Sequence, residues 1–171
     1  AARKSRKRRG HGHRLPRFES LERRDLLAGV AYDPPKINIR LEVTDTSDVP
    51  IQQAMIGDEF RVKAYVQDLR AQPKGVFSSY IDVTYNDGLA PTLASSRDEI
   101  LFGPDFENGQ SAVLDTPGLL DEIGGFGYDI TGPGEFLLFS APFLADQAGV
   151  AVFAADAPED LRHENLVFDE D

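Results

Sequence analysis

Val76-Phe77-Ser78-Ser79-Tyr80-Ile81-Asp82-Val83-Thr84-Tyr85 sets Phe77, Ser79, Ile81, Val83 and Tyr85 on one side of an extended chain and Ser78, Tyr80, Asp82 and Thr84 on the other. A period of two over this length marks a strand with one face in a core and one toward water, because successive side chains of extended backbone point to opposite faces. Two upstream stretches share the period. Ile37, Ile39, Leu41 and Val43 alternate with Asn38, Arg40 and Glu42, and Phe60, Val62, Ala64 and Val66 alternate with Arg61, Lys63 and Tyr65. Turn formers separate them: Asp45-Thr46-Ser47-Asp48, Gln72-Pro73-Lys74-Gly75 and Asn86-Asp87-Gly88. Downstream, shorter or more continuously apolar strands are predicted over 99–102, 126–130, 135–141, 149–155 and 164–168, with one helical turn each over 95–99 and 117–123. Eight short strands, Gly/Pro turns and no long amphipathic helix predict an all-β fold, an antiparallel β-sandwich. Its core is expected to hold Ile39, Leu41, Phe60, Val62, Phe77, Ile81, Val83, Phe139 and Val152. Phe153 is expected in the core too, but as the member that turns toward a loop, since Val150 shares a face with Val152.

Charge divides the chain. Residues 1–25 carry ten basic and three acidic side chains, a formal +7, whereas the other 146 residues hold eight basic and 26 acidic groups, a formal −18. Asymmetry of this kind reads as a basic tail on an acidic folded body. Residues 1–32 are therefore expected to be a disordered export or targeting segment, and residues 33–171 one sandwich domain, with Asp33-Pro34-Pro35 as a stiff spacer. There is no cysteine, which removes thiol catalysis, thiolate metal sites and disulfides. No apolar run approaches the roughly 18–20 residues that cross a bilayer, so no stable membrane insertion is expected. Arg3 to Arg9 form a basic cluster, but a body of −18 repels a phosphate backbone, so nucleic acid is not an expected partner. The chain begins at Ala1 and ends at Asp169-Glu170-Asp171 directly after a predicted strand, and is expected to continue in both directions, with the domain truncated at its C-terminus.

Behind the basic block, Phe18-Glu19-Ser20-Leu21-Glu22-Arg23-Arg24-Asp25-Leu26-Leu27-Ala28 resembles the LEPR-xLL element at the N-terminus of large exported bacterial surface proteins. Leu21, Glu22, Arg24, Leu26 and Leu27 match the pattern, and Arg23 stands where that family has proline. The resemblance implies a secreted or cell-surface bacterial protein. In the body, Gly57-Asp58-Glu59-Phe60-Arg61-Val62 and the strand from Gly75 to Tyr85 are followed by Glu135-Phe136-Leu137-Leu138-Phe139-Ser140-Ala141 and Ala148-Gly149-Val150-Ala151-Val152-Phe153. Order and spacing resemble cohesin-like modules of the carbohydrate-binding superfamily, from about Lys36 to Phe168. That resemblance implies a jelly-roll sandwich acting in cell adhesion or scaffold binding, with a dockerin-like protein partner or a polysaccharide as ligand.

A sandwich carries function on an exposed sheet face or on its end loops. The outward register of the 76–85 strand offers Ser78, Tyr80, Asp82 and Thr84 as a binding face, with Tyr65 on the neighbouring strand as a second aromatic platform. The competing expectation is that a terminal segment folds over the rings and satisfies their hydroxyls, as buried tyrosines require. Catalytic patterns do not assemble. Asp115-Thr116-Pro117-Gly118 copies a D-x-x-G phosphate sensor without any phosphate-cradling loop, and Gly124-Gly125-Phe126-Gly127 lacks the helix that a dinucleotide fingerprint needs. His11 and His13 lie in the tail and His163 stands far from them. No enzyme is expected. Calcium is the one candidate cofactor, held by Asp45 and Asp48 in one loop or by Asp105 and Glu107 in another, although turn acidity serves solubility more simply. The function expected is a non-catalytic binding or scaffolding module; the alternatives are a passive spacer of a large adhesin and an accessory module of a secreted carbohydrate-active enzyme. An exposed aromatic or planar polar face separates the first from a spacer, which would carry only charged, mixed surfaces.

Overall fold

The computed structural model describes residues 35–160 and 162–169, and residues 17–20 as backbone. In chain order the strands are β1 (Arg17–Ser20), β2 (Ile37–Asp45), β3 (Glu59–Asp68), β4 (Val76–Tyr85), β5 (Leu101–Phe102), β6 (Asn108–Val113), β7 (Leu119–Phe126), β8 (Glu135–Leu144), β9 (Val150–Asp156) and β10 (Leu166–Val167). A 3-10 turn at Arg97–Glu99 fills one of the two helical turns expected. The strands form two sheets. One has the order β2-β3-β8-β5; the other runs β1-β9-β4-β7-β6, with β10 also paired to β4. Every pairing is antiparallel except β1 with β9. The rest of the expected export segment lies outside the described residues. No helix among the described residues is long and apolar enough to cross a membrane.

Alternating apolar positions on both sheets meet in one core, so the chain is the antiparallel β-sandwich that its period of two predicts. Phe60 of β3 stacks on Phe143 of β8 at 5.7 Å and meets Phe153 of β9 edge-on at 6.1 Å, while Tyr85 of β4 meets Phe143 at 5.0 Å. These four rings tie the two sheets together. Phe60, Val62, Ile81, Val83, Phe139 and Phe153 are buried, and Ile39 and Leu41 pack against the core from its rim.

Two core expectations fail for local reasons. On β9 it is Ala151 and Phe153 that face inward, leaving Val150 exposed and Val152 half-buried. The larger ring takes the space between the sheets, so the face inferred from Val150 and Val152 is the outer one. Phe77 is the extra residue of a bulge: β10 pairs Leu166 with Ser78 and Val167 with Val76, which resets the alternation and sends Val76 into the core instead.

The hairpin of β6 and β7 replaces the expected helical turn over 117–123 and the expected strand over 126–130. Leu120 and Ile123 are three apart, a helical spacing, yet both are buried on one face of β7. The register against β4 shifts between Ile81 and Val83, so Asp121 and Glu122 together oppose Asp82, and Glu122 takes a left-handed φ of 49°. A bulge inside a strand thus imitates the period of a helix.

The crossing from β3 in one sheet to β4 in the other is organised by a buried carboxylate. The Asp68 side chain is fully buried. It accepts N–H bonds from the backbones of Arg70, Lys74 and Gly75 at 3.0–3.1 Å and a forked pair from the Arg70 guanidinium. Burial alone would raise this carboxyl; the Arg70 side chain and the backbone donors outweigh it and hold the carboxyl at about 2.

Candidate functional site

β9 and β10 lie on the same edge of β4. β7 occupies the other edge at Ser78, while β9 covers Asp82 to Tyr85 and β10 covers Ser78 and Val76. Between them, residues 157–160 and 162–165 leave the edge and lie over the outer face of the sheet. Asn165 bridges the gap. Its side-chain amide accepts from the Tyr80 N–H at 3.2 Å and donates to the Tyr80 carbonyl at 3.0 Å, standing in for a strand's peptide group. The Ser79 hydroxyl donates to the same amide oxygen, and the Ser78 hydroxyl donates to the Glu164 carbonyl at 2.8 Å.

This roof alters the face predicted from alternation. Tyr80 is only 3% exposed: its ring stacks on His163 at 4.3 Å and its hydroxyl donates to the Gly109 carbonyl at 2.7 Å. Ser78 is buried, Asp82 is half-buried and accepts the Glu122 N–H at 2.8 Å, and Thr84 is exposed. Tyr65 is not their neighbour, because β3 and β4 belong to different sheets. It lies under the Arg40 guanidinium at 4.4 Å, in a mixed charged field where Arg40 pairs with Glu42 and, by two N–H bonds, with Glu135. The two tyrosines do not form one platform.

The two loops proposed for calcium are occupied by other work or left apart. Asp45 Oδ1 accepts the N–H groups of Ser47 and Val49, closing the turn after β2, and Asp48 pairs with Lys63 Nζ at 2.8 Å, which holds its carboxyl below the usual range. Asp105 is half-buried and Glu107 exposed, and among the described residues they join no group of three ligating side chains. The remaining sequence patterns are structural. Asp115 to Gly118 make the turn between β6 and β7, where the Gly118 carbonyl accepts from the Tyr85 N–H. Gly124 is needed because a Cβ there would stand 2.0 Å from the Ser79 carbonyl.

Two features emerge that spacing did not announce. The first is Glu122, Asp160 and His163, whose ligating atoms all lie within 4.8 Å of one another. His163 Nδ1 is 2.6 Å from Glu122 Oε2, and the Asp160 N–H donates to Glu122 Oε1 at 2.9 Å. Glu122 is about forty residues from the other two, and only the bulge in β7 and the roof bring them together. The second is an aromatic group at the other end of the same face. Phe77 lies 5.7 Å from Phe126, 6.4 Å from Tyr128 and 5.5 Å from Phe168, and Tyr128, 72% exposed, caps the group edge-on to Phe126. Gly109 joins the two ends, since a side chain there would strike both the Phe126 ring and the Tyr80 hydroxyl. Phe126 and Tyr128 stand in the stretch read as a strand over 126–130, which concealed that Tyr128 leaves the strand end exposed against a half-buried Phe126.

Comparison with known protein families, with curated proteins and with solved structures finds no match for this chain.

Proposed function

We propose that this chain is a non-catalytic recognition module of the cohesin-like, jelly-roll kind, carried to the bacterial surface by its basic N-terminal segment, and that its partner is a protein. The observation that carries this reading is Tyr128, a ring 72% exposed and packed against Phe77 and Phe126. An exposed aromatic backed by packed rings provides rigid contact area at little entropic cost, the usual anatomy of a binding hot spot. Exposed Ile130 follows two residues later in the chain, and exposed Leu166 stands on β10 opposite Ser78, the residue after Phe77, so this end of the sheet carries further exposed apolar side chains. Apolar flanks favour a protein partner over a sugar, whose hydroxyls call for polar neighbours. The outer face of the other sheet carries interlocked ion pairs around Arg40 and Lys63, the surface of a spacer rather than of a binding site.

The test immobilises the full chain, exposes it to cell-envelope extract, and analyses the retained material for protein and for carbohydrate. A single protein species retained by the wild-type chain, and lost with Tyr128→Ala, is the expected result. With that protein purified, Tyr128→Ala weakens it by about thirtyfold, the effect of a hot-spot residue. Retention of carbohydrate alone would replace the protein partner by a polysaccharide. Unchanged capture by Tyr128→Ala would move the binding site away from this aromatic group, and no capture would return the chain to the spacer reading.

A further inference from the structure

We propose that Glu122, Asp160 and His163 form a zinc site that fastens the roof segments 157–160 and 162–165 to β7. The donor set is one imidazole nitrogen and two carboxylates. Neutral imidazole suits zinc and its first-row neighbours, whereas calcium and magnesium take all-oxygen shells. The three ligating atoms lie within 4.8 Å of one another, a spread that bond lengths of about 2.0–2.2 Å to a common ion can close with small side-chain shifts. At present one proton holds His163 Nδ1 and Glu122 Oε2 2.6 Å apart, and a metal ion would take the place of that proton.

Each donor is already aimed by a second contact, as ligands of metal sites are. Glu122 Oε1 is fixed by the Asp160 N–H, leaving Oε2 for the site. The His163 ring is set by its stack on Tyr80. The Asp160 carboxylate is gripped by Arg162 Nε and Nη2, and Arg162 itself is 85% exposed, so the guanidinium sits on the solvent side. Across the bulge, Asp82 accepts the Glu122 N–H at 2.8 Å and so fixes the backbone that carries the Glu122 side chain. The donor side chains keep between 16% and 26% of their exposure, enough for water to complete a fourth position. Because two ligands come from the roof and one from β7, the bound ion would pin the roof down.

The test uses the full chain after chelator treatment. Zinc chloride titrated into it binds one ion per chain with a Kd of about 1 μM or below, and raises the melting temperature by several degrees. Cobalt gives the visible absorption of a low-symmetry nitrogen–oxygen site. Glu122→Gln keeps the shape and the neighbouring hydrogen bonds, and weakens zinc by about a hundredfold; His163→Gln does the same. The double variant His11→Ala/His13→Ala leaves zinc affinity and the thermal shift intact. No saturable zinc binding would overturn the proposal. So would full affinity in Glu122→Gln and His163→Gln, or loss of binding in the tail variant. A calcium-induced shift equal to that of zinc would overturn the choice of donor chemistry.

Discussion

Replacing Asp68 with alanine destabilises the protein by about 3–5 kcal/mol, the cost of breaking a buried, hydrogen-bonded ion pair by removing one partner. The substitution takes the forked acceptor from the Arg70 guanidinium and the shared side-chain acceptor from three backbone N–H groups of the crossing loop. Asp68→Asn costs less, because an amide oxygen still accepts. Equilibrium denaturation with urea measures both. The acid profile isolates the charge. The Asp68 carboxyl titrates at about 2 in the folded protein against 3.8 in its ordinary state, so its contribution is complete above about pH 4 and is lost as pH falls toward 2. That contribution amounts to about 2 kcal/mol. Asp68→Asn flattens the stability curve over this interval. An Asp68→Ala loss below about 1 kcal/mol would show that the crossing is held by something else.

Phe60→Ala removes the ring that touches both Phe143 of its own sheet and Phe153 of the facing one, and costs about 3–5 kcal/mol through lost burial and the cavity left behind. Ile81→Ala, from the other sheet and equally buried, costs about 2–5 kcal/mol by the same mechanism. Both residues belong to one core cluster, so the double variant departs from additivity if the two cavities merge. Losses under about 1 kcal/mol at both positions would contradict the strand register that buries them.

The sandwich was legible because the period of two needs no knowledge of neighbours. Ile81 and Val83 point inward whatever strand lies alongside. What alternation cannot carry is pairing. β3 and β4 follow one another in the chain yet lie in different sheets, so Tyr65 and Tyr80, both outward, ended on opposite sides of the molecule. Bulges hid the rest. One at Phe77 moved an aromatic from core to surface, and one at Asp121–Glu122 made Leu120 and Ile123 look helical. Burial of Tyr80 depended on a detour of the chain more than seventy residues away, and the signal for it was confined to the polar run from Glu159 to Asn165, which reads like any solvated turn. His163 had no partner in view because Glu122 lies in another strand.

The chain between Asp156 and Leu166 spends nine residues passing only three positions of β4, Ser79 to Ile81. A direct continuation of β9 into β10 would complete the same sheet, so this detour is an elaboration laid on a finished scaffold. Its length and chemistry are free to diverge among descendants of one ancestral fold while the ladder on either side is inherited unchanged, since surface excursions accept insertion and replacement where paired strands do not. Relatives of this protein should therefore be recognisable by β4 and the two strands that share its edge, and should differ most in what they lay over Tyr80.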